Sequence, residues 1–121
     1  MLEQDIEEMI KKEKEEQQRI ADILSKTGVP VYKHITNFES VKRKGSFCII
    51  VRDSSDYTVA DDNVYFIKPN FTIFLYKQRL YDRSEEKEIE RALLLNDIRI
   101  LEKSEDRWDP QESIYFITYN I

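Results

Sequence analysis

At 121 residues, 40% of them hydrophobic and 36% charged, with two glycines and three prolines, the chain is expected to form one domain (1–121) around a real core, which excludes a two-domain or disordered organisation. A net charge of −5, with acids and bases mixed along the chain, excludes a protein that coats duplex DNA, because phosphate contacts need a basic surface. One cysteine excludes an intrachain disulfide, and the absence of any long apolar run or basic-then-apolar leader leads us to expect no membrane association and a cytosol-like compartment.

Residues 1–26 read as a long helix, rich in Glu, Lys, Gln, Ile and Leu and free of Gly and Pro. Leu2, Ile6, Met9 and Ile10 form one apolar stripe and Ile20, Ile23 and Leu24 another, while Lys11 to Arg19 contains no apolar residue. The expectation is a helix solvated in its middle, packed through its C-terminal turns, with the first ten residues free as an arm that docks on a neighbour. Gly28 and Pro30 stop it, and 29–121 is then an α/β core. Val31 and Tyr32 start an edge strand. Residues 37–46 read as a polar loop whose Lys42, Arg43 and Lys44 form the concentrated positive patch of the chain. Residues 47–51 read as a buried strand, in which Cys48 is a small hydrophobe and not a catalytic thiol.

From 53 to 62 the chain carries Asp53, Asp56, Asp61 and Asp62 with no base. Residues 64–67 then read as a strand, Lys68-Pro69-Asn70 as a tight turn, and 71–76 as the strand folding back antiparallel. With Phe71, Ile73 and Leu75 on one face and Phe74 and Tyr76 on the other, that strand is the expected centre of the sheet. Asp82 and Glu85 are spaced as a capping box, with Ser84 as a competing cap, for a helix that lays Ile89, Ala92 and Leu93 on the sheet and ends at a left-handed Asn96. Residues 98–101 restart as a strand, Ser104 to Gln111 form an acidic loop around Trp108, and the alternation of Tyr115, Ile117, Tyr119 and Ile121 marks the last strand. Trp108 suits either a cap over the sheet end or an interface anchor. The expected fold is α+β: a mixed, mainly antiparallel sheet of about five strands, one helix packed on it, and the long N-terminal helix.

The chemistry of a cofactor or active site is missing from this pattern. There is no glycine-rich phosphate loop and no CxxC, His34 has no ligand partner at motif spacing, and the aspartates of 53–62 lack the glycine and glutamate of an EF-hand. No enzyme, cofactor or metal centre is expected.

The run Asp53-Ser54-Ser55-Asp56-Tyr57-Thr58-Val59-Ala60-Asp61-Asp62-Asn63-Val64-Tyr65, followed by Phe71-Thr72-Ile73-Phe74-Leu75-Tyr76 and a closing strand with Tyr115 and Tyr119, resembles the small tail terminator, tail completion and head-tail joining proteins of long-tailed bacteriophages and prophages of Gram-positive bacteria. The resemblance runs from about Pro30 to the end; the long charged N-terminal helix and Trp108-Asp109-Pro110 depart from the family pattern. It implies a virion protein of the tail and neck, assembled in the host cytoplasm. Such a protein caps the tail tube as a ring, typically a hexamer, meets tail tube and neck or connector proteins, and lets DNA pass without binding it. Another neck component, such as a head-completion or connector adaptor, and a regulatory module that docks through the long helix are the alternatives. In a ring, the four aspartates would line the lumen, meet Lys42, Arg43 and Lys44 of a neighbour at a joint, or face solvent.

Overall fold

A computed structural model describes residues 2–53, 58–60, 63–65, 70–78 and 83–121. Its elements in chain order are α1 (Leu2–Ser25), β1 (Val31–Tyr32), α2 (Phe38–Arg43), β2 (Phe47–Arg52), β3 (Thr58–Ala60), β4 (Asn63–Tyr65), β5 (Phe71–Lys77), α3 (Ser84–Leu95), β6 (Glu102–Lys103), β7 (Arg107–Asp109) and β8 (Ile114–Asn120). The main sheet runs β1-β2-β5-β8-β6, with β7 also on β8; β1 is parallel to β2 and the other pairs are antiparallel, so the fold is α+β with a mixed sheet.

The apolar alternation of β5 explains its place. Phe71, Ile73 and Leu75 join Cys48, Ile50, Ile117 and Tyr119 in one core, into which α1 sends Ile20, Ile23 and Leu24 and α3 sends Ile89 and Leu93. Ala92, partly buried, packs against the same core. On the opposite face Phe47, Tyr76 and Ile114 are buried among Tyr32, Phe38, Val41, Phe74 and Phe116. Edge-to-face contacts of Phe38 with Phe47 and Tyr76, at 5.3 and 5.0 Å, seat α2 on that face. The sheet is therefore covered on both sides, and β5, hydrogen-bonded to β2 and β8, is its middle.

Several expectations are corrected. Residues 37–46 are not a simple loop: Asn37 caps α2 by accepting the Ser40 N–H, a local cap that stands next to Phe38 and Val41 as its apolar side. Strand β4 does not pair with β5 but with β3, its neighbour in sequence, in a separate two-stranded sheet with Ala60 opposite Asn63. The Lys68-Pro69-Asn70 turn expected there falls, through residue 69, outside the described residues, as does Asp82 of the expected capping box; the residue at the start of α3 is Arg83, with no side-chain cap bond.

The expected strand 98–101 is displaced to Glu102–Lys103. The Ile98 N–H is already committed, donating to Leu93 O at 2.9 Å while the Asp97 N–H donates to Leu94 O at 3.1 Å, which together close α3 in a Schellman motif. The left-handed residue is Asp97 (φ 58), not Asn96, and Ile98 turns its side chain into the core instead of joining the ladder. The 104–111 loop, in turn, contains β7, because Trp108 pairs across from Tyr115 on β8.

The middle of α1 is not wholly solvated. Glu13 is buried and lies 3.0 Å from Arg52 Nε, and Gln17 donates to Ile50 O at 3.2 Å, so the helix meets β2 two turns earlier than its apolar residues indicate. N-terminal to Glu13 the helix carries Ile6 and Ile10 in the open, 47% and 46% exposed.

Candidate functional site

Three of the residues singled out by sequence, Lys42, Arg43 and Trp108, come together at one cleft of about 380 Å³ between the end of α2 and the β7–β8 hairpin. Lys77, Gln78, Ser113, Ile114 and Tyr115 complete its walls. The indole of Trp108 is half exposed and tilts against the Tyr115 ring with centroids 4.8 Å apart. The hairpin that holds this pair is fixed by Asp109, whose carboxylate accepts the N–H groups of Gln111 and Glu112 at 3.0 and 3.2 Å, and by Ser113 in the left-handed region (φ 53). Lys42 ties the two walls together, donating from Nζ to Glu112 O at 2.8 Å, and Gln78 donates to Lys42 O.

The rim is positive. Lys42 and Arg43 share Glu39, at 3.2 and 3.4 Å, and the Lys42 hydrogen bond and charge, with help from Arg43, hold the Glu39 carboxyl below the usual carboxylate range. One glutamate thus faces two bases, half-buried Lys42 and exposed Arg43, and Lys44 adds a second exposed cation at the C-cap of α2. Tyr115 was legible only as a member of an alternating strand, and Lys77 and Gln78 carried no signal as cleft residues, since it is the β5–β8 pairing of Lys77 with Tyr115 that brings them here.

Of the four aspartates, Asp53 lies at the end of β2, where its carboxylate accepts the Thr72 hydroxyl at 2.8 Å and its N–H donates to Asn70 O at 2.9 Å, a tie between strands β2 and β5. Asp56, Asp61 and Asp62 lie outside the described residues. No contact joins Asp53 to Lys42, Arg43 or Lys44 within one copy, since Asp53 is at the far end of β2 from α2.

Beneath α3 sits a buried ionic cluster that sequence reasoning missed. Lys77 Nζ, with its side chain fully buried, is 3.1 Å from Glu86 Oε2 and also pairs with Asp106. The other Glu86 oxygen is 3.2 Å from Lys103 Nζ, which also reaches Glu90 at 3.2 Å and lies over the Tyr119 ring. Burial pulls the Lys103 ammonium down, but the hydrogen bonds and charges of Glu86 and Glu90 outweigh it and leave it raised. Tyr119 OH is buried without a hydrogen-bond partner, and its ionisation is pushed up by burial and then by Glu90 and Glu86. Two ammonium groups thus meet three carboxylates, with Arg83 reaching Glu86 at 3.8 Å, so each acid and base of the cluster is paired.

Two further titratable residues considered in the sequence are Cys48 and His34. Burial, then the charge of Glu85, pushes the Cys48 thiol up to about 12, which removes the thiolate a nucleophile needs. His34 is exposed, and among the described residues no group of three or more His, Cys, Asp or Glu converges on a common point. No helix among them is long and apolar enough to cross a membrane. Comparison with protein-family models, with curated proteins and with solved structures gives no match to this chain.

Proposed function

We propose that this chain is a non-enzymatic assembly protein that acts as a ring of copies, and that it caps the tail tube and joins tail to head in a long-tailed bacteriophage or prophage. The observation that carries the assembly reading is the N-terminal half of α1: a helix end with Ile6 and Ile10 exposed on successive turns, extending past the last contact that Glu13 and Gln17 make with β2. A helix end of this kind is marginal alone in water and gains order by covering its apolar stripe on another molecule. The half-exposed Trp108 beside a positive rim is a second surface with the composition of an interface anchor. The tail and neck assignment rests on the resemblance of residues 53–76 and 115–119 to tail completion proteins.

In this reading the partners are further copies of the chain, the tail tube protein and neck or connector proteins; DNA passes through the ring unbound, and the protein resides in the virion after assembly in the host cytoplasm. Electron microscopy of the full chain mixed with purified tail tubes tests it. The expected result is ring-shaped density at one end of the tubes. Density on isolated connectors and none on tubes would assign the chain to another neck position, and a chain that stays monomeric and binds neither overturns the reading.

A further inference from the structure

Two unlike surfaces of this chain complement each other. The first is the N-terminal end of α1, where Ile6 and Ile10 are one turn apart and exposed, Glu7 and Glu8 flank them in the open, and the first ten residues hold four acids and no base. From Glu13 to its start this end spans roughly 17 Å at 1.5 Å per residue, enough to reach a neighbouring molecule. The second is the cleft of about 380 Å³ between α2 and the β7–β8 hairpin, lined on the hairpin side by Trp108 and Tyr115, with room for a pair of aliphatic side chains. Its rim belongs to the segment from Phe38 to Lys44, which holds one acid and three bases.

We propose that the N-terminal end of α1 of one copy docks in the α2/β7–β8 cleft of the next, with Ile6 and Ile10 against Trp108 and Tyr115 and with Glu7 and Glu8 facing Arg43 and Lys44. This rests on the reading of the chain as a self-assembling protein and names the contact that assembly uses. Apolar burial supplies the attraction and the opposed charges set direction and register. Because the two surfaces differ, the contact is heterologous and repeats: every copy offers one arm and one cleft, so copies chain head to tail until a ring closes.

Cross-linking between separately labelled copies tests it with the full-length protein. Ile10→Cys and Trp108→Cys are made singly; the native Cys48 is buried and does not compete. Under mild oxidation a mixture of the two variants is expected to give a disulfide dimer that neither gives alone, and the double variant a ladder of higher species. A dimer from Ile10→Cys by itself means that arms pair with arms, and overturns the proposal. A second measurement leaves Trp108 and Tyr115 in place and changes only charges. Arg43→Glu, and separately Glu7→Lys with Glu8→Lys, are each expected to weaken self-association in sedimentation by roughly tenfold at low salt. Combining Arg43→Glu with Glu7→Lys and Glu8→Lys in one chain is expected to recover most of the loss. Oligomers that persist unchanged in all these variants overturn the arm-and-cleft contact while leaving the assembly reading standing. A chain that is monomeric at every concentration and stays so on tail tubes overturns both.

Discussion

The buried pair of Lys77 and Glu86 makes a sharp stability prediction. Lys77→Met removes the ammonium from a fully enclosed position and leaves Glu86, 2% exposed, with only Lys103 at 3.2 Å and Arg83 at 3.8 Å to offset its charge. Breaking one side of a buried ion pair costs about 3–5 kcal/mol, and Lys103 puts this case near the lower end. Urea unfolding at neutral pH reads it: with a slope of about 1–3 kcal/mol per M, a loss of about 3 kcal/mol lowers the midpoint by about 1–3 M. Replacing both partners, Lys77→Met with Glu86→Met, takes away the buried Glu86 charge, leaves only the more exposed Asp106 without its partner, and is expected to recover at least about 1 kcal/mol of that loss. A single variant within about 0.5 kcal/mol of the parent, the range of ordinary surface changes, would refute the claim that the pair is buried and coupled. So would a double variant whose cost equals the sum of the singles.

Leu93→Ala is expected to cost about 2–5 kcal/mol, because Leu93 is fully buried in the core, whereas Leu94→Ala and Leu95→Ala, at positions 63% and 72% exposed, should stay within about 0.5 kcal/mol; equal costs in urea melts would mean that α3 is rotated on the sheet. Stability should fall between about pH 9 and pH 12 through Cys48: its folded thiol is raised, so above the unfolded value only the unfolded chain loses the proton, at about 1.4 kcal/mol per pH unit. In Cys48→Ala the slope over that window should be shallower by that amount, and an unchanged slope would place the titration elsewhere. Hydrogen exchange in the dilute chain should divide α1 at Glu13, fast before it and slowed from Glu13 to Ser25; uniform protection from residue 6 onward would show that the arm packs on its own copy.

What the sequence determined by itself is whatever repeats locally. Period-two alternation in residues 71–76 and 115–121 was enough to place β5 at the centre and to mark β8 as the last strand, since a strand's two faces are written in neighbouring side chains. The spacing of Ile89, Ala92 and Leu93 likewise marked the face of α3. Tertiary structure alone decided pairings between distant groups. Glu13 and Gln17 read as solvated until β2 supplies Arg52 and the Ile50 carbonyl, and Lys77, one residue past the strand as read, is buried only because α3 and the 104–106 segment supply Glu86 and Asp106. Strand β4 took β3 as its partner, and residues 98–101 ceded the ladder to the closing turn of α3. The cleft is of the same kind. Lys42, Arg43 and Trp108 each carried a signal, but some sixty residues separate the pair from the tryptophan, and it takes the seating of α2 on β2 and β5 together with the pairing of β5 with β8 and of β8 with β7 to bring them to one cleft. A polar side chain's burial depends on a partner that local periodicity does not contain, whereas an apolar face needs only to be apolar.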